Sequence, residues 1–155
     1  PGASSARPCF RADRCRSTAF RAARSLPIFR MLNEEKGGIN GRKINLISLD
    51  DAFSPPKTVE QTRKLVEDDD VLALFGSAGT PAQSAVQKYL NVKGVPQLLV
   101  ATDANKWNQP KAFNGSTPAF HLYGTEGEIL ANYLRSIKPD AKIAILMQND
   151  DFGRD

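Results

Sequence analysis

From Leu32 onward, short apolar runs alternate with longer runs in which apolar residues recur three and four positions apart, repeating about every fifteen residues. The short runs are Lys43–Leu49, Val71–Phe75, Val95–Val100 and Lys142–Met147. The first carries Ile44, Leu46, Ile47 and Leu49 on both faces, as a strand covered on both sides should. The longer runs predict helices. Leu26–Lys36 puts Ile28, Phe29 and Leu32 on one face before Gly37-Gly38 stops it. Pro55-Pro56 opens a second helix to about Glu67, with Val59, Thr62 and Val66 at helical spacing beside Leu65. Pro81 opens a third, whose stripe of Ala82, Ala85, Val86, Tyr89 and Leu90 ends at Gly94. Thr125-Glu126-Gly127-Glu128 reads as a capping box for a fourth, with Ile129, Leu130, Tyr133, Leu134 and Ile137 on a buried face. Asp103–Thr117 is polar and aperiodic and reads as a long surface loop carrying Trp107. Strand and helix in alternation imply an α/β fold: an open, mostly parallel sheet with helices on both faces.

Charge sharpens this picture. The net +4 comes from one end: residues 1–30 hold seven Arg and one acid, and the remainder is mildly acidic. A basic block at one terminus is not the distributed basic face of a nucleic-acid binder, so no nucleic-acid partner is expected. Cys9 and Cys15 lie in the same block at a spacing that is neither a redox pair nor half of a zinc site. The chain's start lacks the apolar stretch of about 7–15 residues that an export signal needs, so the mature N-terminus or true start is expected to lie elsewhere.

Candidate chemistry sits where strands turn into helices. Gly76-Ser77-Ala78-Gly79-Thr80 joins a strand to the Pro81 helix, whose N-terminus offers unpaired N–H groups and partial positive charge to a carboxylate or phosphate. Ser77 and Thr80 add hydroxyls, although Thr80 also reads as an ordinary helix cap. Ala101-Thr102-Asp103-Ala104-Asn105 follows the next strand at its C-terminal end, the edge where open α/β sheets bind ligands, and Thr102 and Asp103 read equally as common loop polarity. Neither nucleotide fingerprint is satisfied by Gly76–Thr80. Asp50-Asp51 resembles the acidic pair of a phosphotransfer receiver, but the strand Val71–Phe75 ends in Gly76 where the accepting aspartate would stand. His121, the one histidine, has no catalytic motif around it, and one His with two Cys cannot complete a tetrahedral metal set. No enzyme activity, metal or cofactor is expected.

Several phrases in order carry a family resemblance. They are Leu32-Asn33-Glu34-Glu35-Lys36-Gly37-Gly38-Ile39-Asn40-Gly41-Arg42-Lys43, Leu49-Asp50-Asp51, Thr58–Val66, Phe75–Thr80, Val95-Pro96-Gln97-Leu98 and Asn149-Asp150-Asp151-Phe152-Gly153. From about Phe29 to Asp155 the chain resembles the leucine/isoleucine/valine-binding family of type I periplasmic binding proteins, the substrate-binding components of ABC transporters. The resemblance implies two α/β lobes joined by a three-strand hinge and closing on a ligand, with residues 29–119 as an N-terminal lobe and 120–155 as the crossover, near Phe120–Gly124, and the start of lobe two. It implies a ligand site of Ser77, Gly79, Thr80, Ala101, Thr102, Asp103 and Asn105, with Tyr123 and Phe152 from the crossover and lobe two. It implies a periplasmic protein that takes branched-chain amino acids or related small carboxylates and hands them to membrane permease and ATPase subunits. A signalling-receptor ectodomain of the same fold is the alternative. Residues 1–28 depart from the pattern, lacking the family's opening strand. They are expected to be disordered or mistranslated, either as an out-of-frame product or as an Arg-rich transit peptide. Lacking that strand and most of lobe two, this stretch alone is expected to be weakly stable.

Overall fold

The structure is a computed structural model and describes residues 11–12 and 19–155, with side chains from Pro27 on. Expectations for residues 1–10 and 13–18, Cys9 and Cys15 among them, lie outside the described residues. Arg11–Ala12 forms a two-residue strand, β1, and Ala19–Glu35 forms helix α1. The helix therefore runs unbroken across the junction of residues 28 and 29, where the resemblance was expected to begin, and β1 pairs in parallel with β2, Ile47–Ser48.

Apart from β5, the elements then follow in the anticipated order: α2 (Pro55–Arg63), β3 (Leu74–Phe75), α3 (Thr80–Lys93), β4 (Gln97–Val100), β5 (Ser116–Pro118) and α4 (Tyr123–Ile137). All strand pairs are parallel, β1 with β2 and β3–β4–β5 as a second set. The α1 helix ends where Gly37 and Gly38 take φ of 67° and 93°. Asn33 then ties the helix to the approach to β2, its amide bonding both backbone groups of Ile44 at 2.7 and 2.8 Å. Helix α2 passes into a wider π turn over Lys64–Asp68, and α3 ends on Gly94 in the left-handed conformation, as the Gly94 stop predicts.

Two buried clusters hold these layers. Val71, Leu74, Val86 and Leu90 pack between α2, α3 and the sheet, with Ile47, Val59, Leu65, Val66, Tyr89 and Val95 around them. The stripe read from the sequence thus faces the core, although Ala85 lies outside the buried set. The second cluster is Val100, Ala104 and Trp107, with Tyr123 against it.

Five expectations are corrected. Trp107 is 1% exposed, on a 3-10 turn over Asn105–Trp107. Apolar burial has drawn a supposed surface residue inward, which an aperiodic polar context conceals. The same supposed loop contains β5, where Thr117 completes the sheet by accepting the Leu99 N–H at 3.0 Å beside an irregular register in β4. Helix α4 begins at Tyr123 after Leu122, not at the Thr125 box, and has no side-chain cap. Its apolar residues are exposed, Ile129 at 60% and Tyr133 at 62%, and Lys142–Met147 is not a strand, with Leu146 fully exposed. Both stretches have the patterning of buried elements, but no sheet among the described residues covers them.

Candidate functional site

The turns after β3 and β4 lie side by side. Gly76 N–H donates to Leu98 O at 2.9 Å, Ala101 N–H donates to Ser77 O at 2.7 Å, and Ala78 bridges Ala101 in parallel. The two loops therefore continue the sheet past its C-terminal edge and hold one another in register.

Gly79, not Thr80, is the N-cap of α3, at φ 94°, and Thr80 is the first helical residue. Geometry disfavours any other residue at 79 for two reasons. A left-handed φ strains every L side chain, and a Cβ there would lie 2.6 Å from the Phe53 ring. With Gly79 at the cap, Gln83 N–H bonds Gly79 O at 2.9 Å. The N–H groups of the helix's first residues have no intrahelical acceptor, and the macrodipole favours negative charge in front of them.

The Thr80 hydroxyl does not cap the helix. It meets the Thr102 hydroxyl at 2.5 Å, both residues being 1% exposed. In a hydroxyl pair one O–H donates to the other oxygen, so one hydrogen remains to be donated elsewhere. The nearest open space is a cavity of about 220 Å³ bordered by Gly79, Thr80, Ala101, Thr102, Tyr123 and Phe152, six of the nine residues anticipated as a ligand site. It has no Lys, Arg or His in its wall. An anion would be held there by dipoles and hydroxyls rather than by an ion pair.

The other three anticipated residues lie elsewhere. Ser77 borders a separate space of about 110 Å³ between the ends of β2 and β3. Asp103 accepts the Phe120 N–H at 3.2 Å on Oδ1, and its carbonyl accepts the Tyr123 N–H at 2.8 Å. Asn105 N–H donates to Asp155 Oδ2 at 2.8 Å, and its amide lies 3.4 Å from where a Cβ on Gly124 would stand. Asp103 and Asn105 thus fasten the crossover and the C-terminal turn to the β4 loop, which places Tyr123 against the cavity.

Sequence reasoning missed Phe53, Ala78, Pro81, Gln148 and Asp150, which also border the cavity. Asp150 faces it but is engaged in its own turn: Oδ1 accepts Phe152 N–H at 3.0 Å and Gly153 N–H at 3.1 Å, and Oδ2 accepts Gln148 Nε2 at 2.7 Å. That turn seats the Phe152 ring edge-to-face on Tyr123, centroids 5.7 Å apart. Lys106 secures it from the β4 side with a 2.9 Å bond to Asp151, whose carboxyl is held below its ordinary range by that hydrogen bond and then by the ammonium's charge. Asp50 and Asp51 are also turn-formers, Asp50 accepting Ala52 N–H and Asp51 accepting both Phe53 N–H and the Thr58 hydroxyl. His121 is exposed. Among the described residues no group of three His, Cys, Asp or Glu could hold a metal, and no helix is long and apolar enough to cross a membrane.

Residues 25–155 match the family model described as periplasmic binding protein. An amino acid binding protein of Pseudomonas aeruginosa is 25% identical over 121 residues, covering 76% of this chain and 31% of that protein. The fold is shared with the crystal structure of a possible leucine/isoleucine/valine-binding protein from Rhodopirellula baltica, at TM-score 0.75 and 20% identity, covering 96% of this chain and 40% of that one. A substrate-binding periplasmic protein from Ralstonia solanacearum superposes with TM-score 0.75 and 25% identity, covering 88% of this chain and 38% of its own. The chain spans between 31% and 40% of the length of these relatives.

Proposed function

Because the chain belongs to the periplasmic binding protein family, we propose that it captures a small carboxylate-bearing solute, a branched-chain amino acid or related acid, outside the cytoplasm for delivery to the permease and ATPase of an ABC importer. The observation that carries this reading is the junction of the β3 and β4 turns. There the uncapped N-terminus of α3 and the Thr80–Thr102 hydroxyl pair border one cavity that has no cationic side chain in its wall. A carboxylate satisfies such donors without an ion pair. The Pseudomonas relative's amino acid binding supports the same solute class.

The family captures ligands rather than transforming them, which supports a role of binding without chemistry. A ligand that binds only the folded state raises its melting temperature by mass action. A thermal-shift screen of the full-length protein against aliphatic amino acids, short fatty acids and aromatic acids tests the proposal. A saturable shift with one class is expected, and a flat response to the whole panel refutes capture of small carboxylates.

A further inference from the structure

Phe53 occupies a position that packing does not explain. It is 52% exposed, and both it and Ala52 adopt left-handed backbone, φ 56° and 50°, which residues other than glycine, asparagine and aspartate seldom enter. Asp50 and Asp51 hold this strained pair by accepting the N–H groups of Ala52 and Phe53 at 2.8 and 3.0 Å. Asn or Gly would make the same turn without strain. What Phe adds is a ring laid against Gly79, so close that a Cβ on that glycine would lie 2.6 Å from it. Across the same cavity stands the edge-to-face pair of Tyr123 and Phe152.

Resting on the carboxylate-capture reading above, we propose that Phe53 is a specificity-determining residue that selects an acid whose carboxylate is attached directly to a flat aromatic ring. A carboxylate received by the N–H groups of α3 and the Thr80–Thr102 pair lies beside Gly79, and so beside the Phe53 face. A ring bonded to that carboxylate enters the space between Phe53 and the Tyr123–Phe152 pair. Aromatic rings gain from offset or edge-to-face contact, whereas a saturated ring of equal size gains burial alone. Strain retained at a half-exposed ring that borders a site is accounted for by a role in that site.

The test is calorimetric titration of the full-length protein with benzoate, cyclohexanecarboxylate and isoleucine. Benzoate is expected to bind roughly three- to tenfold more tightly than cyclohexanecarboxylate, the size of one aromatic pair. Phe53→Gly should bring that ratio to about one without lowering the melting temperature, because glycine relieves the left-handed strain. Phe53→Tyr should retain the preference. A purely structural Phe53 would shift melting temperature and leave the ratio alone, and that result overturns the proposal. Binding of isoleucine or cyclohexanecarboxylate with no preference for benzoate also overturns it while leaving carboxylate capture standing. Failure of all three acids to bind overturns both.

Discussion

The Thr80–Thr102 pair permits a test that separates folding from binding. Each hydroxyl is buried and each is the other's partner. Thr80→Val keeps the shape of the side chain but leaves the Thr102 hydroxyl in an apolar setting with no partner, a loss of about 1–3 kcal/mol. For a chain of 155 residues that lowers the melting temperature by roughly 2–4 °C per kcal/mol. Thr102→Val should behave alike. Replacing both at once removes the orphan, so the double variant should be close to wild type in stability and clearly better than the sum of the single changes. Ligand affinity should follow a different course. A hydroxyl bond to a charged carboxylate contributes about 1.5–3 kcal/mol, so the double variant, with no hydroxyl left to donate, should bind about 10- to 150-fold more weakly, while either single variant keeps one donor and should lose less. Urea denaturation gives the first quantity and calorimetric titration with the bound acid gives the second. The reasoning is refuted if the destabilisations simply add, or if the double variant binds as wild type does.

Gly79→Ala should destabilise by about 1–2 kcal/mol from the left-handed φ alone, and adding Phe53→Ala should remove the steric part while leaving that remainder, as read from denaturation midpoints. Trp107→Ala empties a fully buried site and should cost about 3–5 kcal/mol. Trp107→Phe should cost less because it also deletes an indole N–H that has no partner, and as the chain has one tryptophan, emission reports the unfolding directly. Asp151 has a lowered pKa, so its contribution to docking the C-terminal turn is fully present above its ordinary value of 3.8 and is lost as pH falls through the lowered one. Lys106→Ala should move that loss to higher pH, read as faster hydrogen exchange of the Asn105 amide near pH 4. Identical exchange in the two proteins would contradict it.

How far each element could be read from sequence follows from what periodicity records. A stripe such as Ala82, Val86 and Leu90 reports an apolar face, and where a sheet lies opposite, the face is buried as read. The stripe of Ile129, Leu130 and Tyr133 carries the same signal, yet its residues are exposed because a pattern states a need for a partner and not the partner's presence. Trp107 and β5 were illegible for the opposite reason. One large side chain and three residues of strand leave no period to detect: Trp107 is buried by contacts with Val100 and Ala104, and β5 is placed by its pairing with β4. The helix cap was misread at a finer scale, since Thr80 beside Pro81 looks like a cap unless Gly79 is known to be left-handed.

The candidate site was legible where the proposed function uses backbone. Gly79, Thr80, Ala101 and Thr102 were found because strand-to-helix turns announce themselves through glycine, hydroxyl residues and proline, and the structure brings these four together. Phe53 was not, though its signal was present: a large apolar residue in the polar, proline-rich stretch that holds Asp50, Asp51, Ser54, Pro55 and Pro56. The same two aspartates that resembled a phosphotransfer pair supply the missing account. Their carboxylates are occupied with the N–H groups of Ala52 and Phe53 and the Thr58 hydroxyl, and what they produce is a ring held against the N-terminus of α3. On the proposed reading the acidic pair after the strand positions an aromatic wall, and Asp51→Asn, which keeps one acceptor oxygen for the Phe53 N–H and offers its amide N–H to the Thr58 hydroxyl oxygen, should preserve ligand preference where Asp51→Ala lets the ring swing away and reduces it.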